Sequence, residues 1–238
     1  FTQSSVFKDG LTEGWPICLG YLPIGMAFGV LGQKAGLTPL QIGLMSVLVF
    51  AGSSQFIAAS MLAAGASAPA IIATTFMVNL RHVLMSSALA VHLQTARRRW
   101  LALFAYGVTD ESFAVNLPRF TSGEWSLSRA LVVNHAANLT WFVSTVTGSL
   151  VGGLIPEGAM GIDYALIAMF ICLLIYQIRE RIHLITALIA GLTAVVLART
   201  IPGNSYIVIA SITAATAGLI IRRNTKIGPT EKEAGQND

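Results

Sequence analysis

Residues 69–92, PAIIATTFMVNLRHVLMSSALAVH, are long and apolar enough to cross a bilayer, yet they carry Asn79, Arg81 and His82 near their centre. A spanning helix needs roughly 20 mostly apolar residues. A charge at its middle costs about 2.5–3.5 kcal/mol on insertion scales. Arg81 therefore requires a partner or a wet cavity, and the rest of the chain must supply it. At about 100° per residue, Thr75, Asn79, His82 and Ser86 fall along one face, and Arg81 points roughly opposite Asn79. A helix with two polar faces is not widely exposed to lipid.

Composition excludes a water-soluble surface. Of 238 residues, 54% are hydrophobic and 11% charged, against about 25% charged in an ordinary soluble domain. The mean hydropathy is +0.69. No polar block is large enough for a second domain. The expected organisation is a polar lead at 1–14, one transmembrane domain at 15–221, and a polar cytoplasmic tail at 222–238. The net charge of +4 does not indicate nucleic acid, because the basic residues form short clusters between apolar runs, as the positive-inside bias requires. Cys18 and Cys172 both lie in apolar segments and give neither a disulfide framework nor a metal-ligand spacing. No cofactor or metal is expected.

The fold class is therefore all-α, a polytopic helix bundle of seven or eight spans with some helices broken or re-entrant. The first segment, about 15–33, carries Pro16 and Pro23, and a kink or break is expected near Pro23. Its Gly20, Gly25 and Gly29 let a neighbouring helix come close. The second, about 40–64, has AGSSQF in its middle. Gly and Ser are poor interior helix residues, so a break is expected near residues 53–55. A long tilted helix with a glycine contact is the alternative. The fourth segment, about 101–117, holds Asp110 and Glu111, and the fifth, about 130–155, holds Asn134, His135 and Asn138. Segments six (164–178), seven (184–197) and eight (205–221) are plainer, and the seventh is short for a span.

Orientation exposes a conflict. The bases after segment six and after segment eight place both of those ends inside. Counting back through the acidic 156–163 loop then puts Arg97, Arg98 and Arg99 outside if segment four crosses once. Three arginines are a large exception to the positive-inside rule. Either a re-entrant segment four or an extra break upstream removes the conflict; the re-entrant form is preferred, and its acids are tolerable where protein or a wet cavity surrounds them.

Intramembrane charges mark functional sites by default. An ion pair between Arg81 and Asp110 or Glu111 either joins two segments or lines a transport path. Candidate binding residues are Gly52, Ser53 and Ser54, whose backbone at a break suits a carboxylate, with Gln55, Phe50, Phe56, Asn79, Asp110 and Glu111. Arg81, His82, Asn134, His135 and Asn138 are coupling or gating candidates. Histidine titrates near neutral pH, although a lone histidine in a membrane helix also serves as a packing residue. No nucleophile elbow, zinc-protease, P-loop or zinc-finger pattern occurs, and the chain is not read as an enzyme.

The ordered runs LPIGMAFGVLGQKAGLTPLQ at 22–41, FAGSSQF at 50–56, NLRH at 79–82, TDESFA at 109–114 and DYALIAMF at 163–170 resemble the AzlC/YgaZ family over about residues 14–221. That resemblance implies the large subunit of a branched-chain amino-acid exporter in the bacterial inner membrane. It also implies export of L-valine and related apolar amino acids, and a small AzlD-type membrane subunit as partner. A zwitterionic solute of the kind this resemblance implies would set its ammonium on Asp110 or Glu111 and its side chain against Phe50 and Phe56. With no nucleotide motif in the chain, an ion gradient, most simply protons, is the expected energy source. A channel or transporter for another small solute or ion, and a non-transporting membrane scaffold, are the alternatives.

Overall fold

The computed structural model describes residues 3–123, 125–154, 181–200 and 205–224, with positions 164, 171, 174, 175 and 178. Among these residues the fold is all-α, without strands. The chain divides into two units, 1–170 and 171–238. The first holds α1 (Gln3–Lys34), α2 (Pro39–Leu48), α3 (Gly52–Ala63), α4 (Ala68–Ala90), α5 (Arg98–Tyr106), α6 (Asp110–Thr121), α7 (Leu127–Val151) and a 3-10 turn (Gly152–Leu154). The second holds α8 (Arg181–Thr200) and α9 (Ser205–Asn224). Among the described residues, three helices are long and apolar enough to cross a membrane: Ser5–Lys34 within α1, then α4 and α8.

The first unit is built on the crossing of α1 and α7, which small residues make close. A methyl group at Gly29 would stand 2.5 Å from the Ser149 amide nitrogen, and one at Gly148 would stand 2.7 Å from the Met26 Cα. No real Cβ tolerates such distances, so the two backbones touch where glycine lets them. Gly25 faces Ser144 in the same seam, whereas Gly20 meets nothing. Around this axis Phe28 stacks on Trp141 and packs edge-on against Phe56, with Tyr21 edge-on to Trp141. A second apolar cluster joins Leu89, Leu93, Phe104, Val108, Phe120 and Ala130. At one end Asp9 of α1 pairs with Arg129 at 2.8 Å and Glu13 pairs with Arg119, while both guanidinium groups lie over the Trp125 ring.

Several expectations need correction. α1 runs unbroken through Pro16 and Pro23. A membrane helix tolerates the lost ladder bond where a neighbour supports it, and α7 lies along this stretch. The break in the second segment occurs at residues 49–51, ahead of Ser53 and Gln55, which sit in the first turns of α3. Phe50 makes the turn with φ +40°. Segment four is likewise interrupted, at residues 107–109. Its halves α5 and α6, at 9 and 12 residues, are each too short to span alone. Pro118 and Arg119, beyond the expected end of segment four at about 117, belong to α6. Segment seven is the 20-residue α8, because Arg181, His183 and Arg199 extend its ends beyond the apolar run. Most of segment six lies outside the described residues.

The second unit repeats the small-residue device. Ala210 and Ala214 are buried, and one turn further a methyl at Gly218 would lie 2.7 Å from the Thr186 hydroxyl of α8.

Gly29→Ala and Gly148→Ala should each lower stability by about 1–3 kcal/mol through overpacking, whereas Gly20→Ala should stay within about 0.5 kcal/mol. Thermal unfolding of the purified proteins in detergent separates the two classes.

Candidate functional site

The two interrupted segments bring the starts of α3 and α6 together. The residue before α3, Ala51, supplies no side-chain cap. The amides of Gly52, Ser53 and Ser54 therefore have no partner within the helix, and the first ladder bond runs from the Gln55 amide to the Ala51 carbonyl at 2.9 Å. α6 begins differently. Thr109 and Ser112 cap each other reciprocally, at 2.8 Å from the Thr109 amide and 3.2 Å from the Ser112 amide. The box at α6 engages the Ser112 amide, whereas no side chain caps the start of α3, whose Ser53 and Ser54 are buried.

Arg81 bridges the two starts. One guanidinium nitrogen lies 2.9 Å from the Asp110 carboxylate and another donates to the Ser53 hydroxyl. The side chains of Arg81 and Asp110 are 28% and 23% exposed, so the pair sits at a rim rather than in the core. Asn79 accepts from the Ser54 hydroxyl at 2.5 Å. Asn79 and Arg81 thus meet the same turn of α3, not opposite surroundings. The long arginine stem carries its charge around the helix, which the position of its Cα does not reveal.

Glu111 lies beside this pair with a different partner. Tyr21, buried on α1, donates to its carboxylate at 2.7 Å and also meets the Thr109 hydroxyl at 3.0 Å. Asp110 has a guanidinium for a neighbour, and Glu111 has a neutral phenol.

The remaining candidates divide. Gln55 is fully buried, accepting from the Trp141 indole at 2.9 Å and donating to Ser46 at 3.2 Å. Ser46 in turn meets Thr145 at 2.8 Å. Phe50 and Phe56 are buried in the core. His82 places Nδ1 3.2 Å from its own helix's Asn79 carbonyl. His135 bonds the Leu131 carbonyl through Nδ1, and its buried Nε2 has no partner. Asn134 and Asn138 lie on α7 at the end of α5, away from Arg81's contacts. A cavity of about 480 Å³ opens between α4 and α5, walled by His82, Ser86, Ser87, Leu93 and Phe104 among others. Among the described residues, no group of three or more His, Cys, Asp or Glu side chains is placed to hold a metal ion.

Tyr21 and Thr109 were absent from the expected site. A lone tyrosine in an apolar run reads as core. Thr109 did carry a signal, since a threonine directly before two acids marks a helix start.

Arg81→Gln leaves Asp110 without its cation and should cost about 1–3 kcal/mol, below the 3–5 kcal/mol of a fully buried pair. Adding Asp110→Asn should restore at least half of that loss in detergent thermal unfolding. Simple addition of the two effects would mean that the pair does not stabilise the fold.

The chain was compared with known proteins. A family model described as AzlC protein matches residues 16–155. The inner membrane protein YgaZ of Escherichia coli is 30% identical over 203 residues, covering 82% of this chain and 83% of its own. The branched-chain amino acid transport protein AzlC of Bacillus subtilis is 27% identical over 234 residues, covering 96% and 88%. An uncharacterized membrane protein of Archaeoglobus fulgidus is 31% identical over 196 residues, covering 81% and 85%. No solved structure matches the chain. By the family match and by its likeness to YgaZ, the chain belongs to the AzlC family.

Proposed function

We propose that this protein is the permease subunit of a secondary transporter that exports L-valine and related branched-chain amino acids across the bacterial inner membrane. The observation that carries the reading is the meeting of two half-helix starts on Arg81, with two carboxylates beside it. The name of the Bacillus subtilis relative supports the substrate class. Interrupted helices whose halves begin at a shared site are how transporters hold small zwitterions, because an unpaired helix start favours an anion.

The roles follow from charge and vacancy. The substrate carboxylate sits on the uncapped amides of Gly52, Ser53 and Ser54, within reach of Arg81. Asp110 is occupied by Arg81, so the ammonium goes to Glu111, whose resident partner is the neutral Tyr21. Phe50 and Phe56 are buried among core residues, and the cavity between α4 and α5 is lined by His82 but by none of the carboxylate or ammonium seats, so no pocket is assigned to the aliphatic side chain. Export draws on a proton gradient. The permease domain spans residues 15–221 in seven or eight crossings and works with a small AzlD-type membrane subunit.

In vesicles containing the chain and its small partner, preloaded leucine should drive saturable uptake of labelled valine. Glu111→Gln should reduce that counterflow at least about tenfold, as loss of a charged contact implies. Withholding the partner should reduce it as strongly. A conductance that ignores valine and leucine would replace the transporter reading with a channel. Full export by the Glu111→Gln protein would move the ammonium seat elsewhere.

A further inference from the structure

A helix interrupted inside a membrane leaves carbonyls at the end of its first half that water cannot serve. Here α7 serves both interrupted segments from two asparagines one turn apart. Asn134, fully buried, donates to the Phe104 carbonyl in the last turn of α5 at 3.1 Å. Its own carbonyl accepts from Asn116 of α6 at 3.0 Å, so one amide holds both sides of the second break. Gly107 passes so close that a methyl there would stand 2.7 Å from the Asn134 Cβ. Asn138 reaches the first break through an intermediary. It donates to the Tyr106 hydroxyl at 3.2 Å, and that hydroxyl donates to the Val47 carbonyl in the last turn of α2 at 2.5 Å.

Tyr106 thus occupies a singular place. It is the last residue of α5, next to the second break, while its hydroxyl closes the first. Its ring also lies 6.1 Å from Phe50. Phe50, at φ +40°, is the non-glycine residue with left-handed backbone among those described. Such a conformation persists where the surroundings over-determine it. Val47 and Phe50 flank the turn that delivers the uncapped amides of α3, and Tyr106 touches both.

We propose that Tyr106 is a positioning residue that ties the two helix breaks into one moving part, so that the start of α3 and the acidic start of α6 shift together. It meets no substrate and acts through the backbone at residues 47–51, with Asn138 orienting its hydroxyl. The effect on transport rests on the function proposed above, whereas the tie itself does not.

The test is hydrogen exchange on the full-length protein in lipid nanodiscs, run beside valine counterflow in vesicles with the partner subunit. Tyr106→Phe keeps the ring against Phe50 and removes the hydroxyl. It should speed exchange in the peptide covering residues 47–54 by about five- to tenfold, the scale of one lost hydrogen bond. Asn138→Ala should do the same to a lesser degree, and the double variant should be no faster than Tyr106→Phe. The maximal counterflow rate should fall several-fold while the half-saturating valine concentration stays within about twofold, because seat and ligand are untouched. Unchanged exchange in Tyr106→Phe, or effects that multiply in the double variant, would overturn the proposal. A loss confined to valine affinity would overturn it as well. Faster exchange with no valine movement even in the wild type would support the tie and refute the transport reading.

Discussion

A guanidinium at membrane depth has to be neutralised, and this requirement organises the first unit. Arg81 is answered by Asp110 at 2.9 Å and by the Ser53 hydroxyl. Each partner stands in the first turn of a half-helix, so the breaks at 49–51 and 107–109 place both against the guanidinium, which lies at a rim. Breaking a helix leaves carbonyls and amides unsatisfied, and the chain answers the two ends differently. Side chains of α5 and α7 take the carbonyls. The Thr109–Ser112 box engages the Ser112 amide, and no side chain caps the set at α3.

This arrangement needs a rigid frame, which the α1–α7 crossing supplies. Gly29 and Gly148 let the backbones touch, and the Phe28, Phe56 and Trp141 rings fill the space beside them. The frame also carries parts of the site. α1 contributes Tyr21 to Glu111, and α7 contributes Trp141 to the buried Gln55. Gln55 has both amide atoms engaged within the core, so it fixes α3 against α7. α4 behaves differently: Thr74 and Leu89 are its buried side chains, while Ile72, Phe76, Val83 and Leu84 are exposed. Asn79 and Arg81 reach the first turn of α3, while Thr75, His82 and Ser87 bond carbonyls of α4 itself.

Much of this was legible in the sequence, for physical reasons. Arg81 within an apolar run is conspicuous because so few charges occur there, and its pairing with an acid of the fourth segment follows from the cost of leaving it alone. The weak helix formers Gly52, Ser53 and Ser54 correctly mark an interruption nearby, at residues 49–51. The exact turn was not legible. It is made by Phe50, an aromatic residue that propensity does not associate with a left-handed backbone. Thr38, Pro39 and Gln41 did carry a readable start signal for α2, a capping box with proline in the first turn. Pro23 does not break α1, which continues through it, because proline's effect in a membrane helix depends on what packs beside it. Tyr21 and Tyr106 were hidden for a shared reason. A tyrosine's hydroxyl acts far from its Cα, and nothing in an apolar run tells which hydroxyl meets a carboxylate or a carbonyl.

The account stands on the convergence of the two half-helix starts within the membrane. The direct measurement is thiol cross-linking in native membranes, using Ser53→Cys with Asp110→Cys in a background where Cys18 and Cys172 are serine. Both positions contact the same guanidinium, so a short bifunctional thiol reagent should join them and leave either single variant unlinked. Failure to link them, in a protein that is inserted and folded, would place the two starts apart and contradict the site.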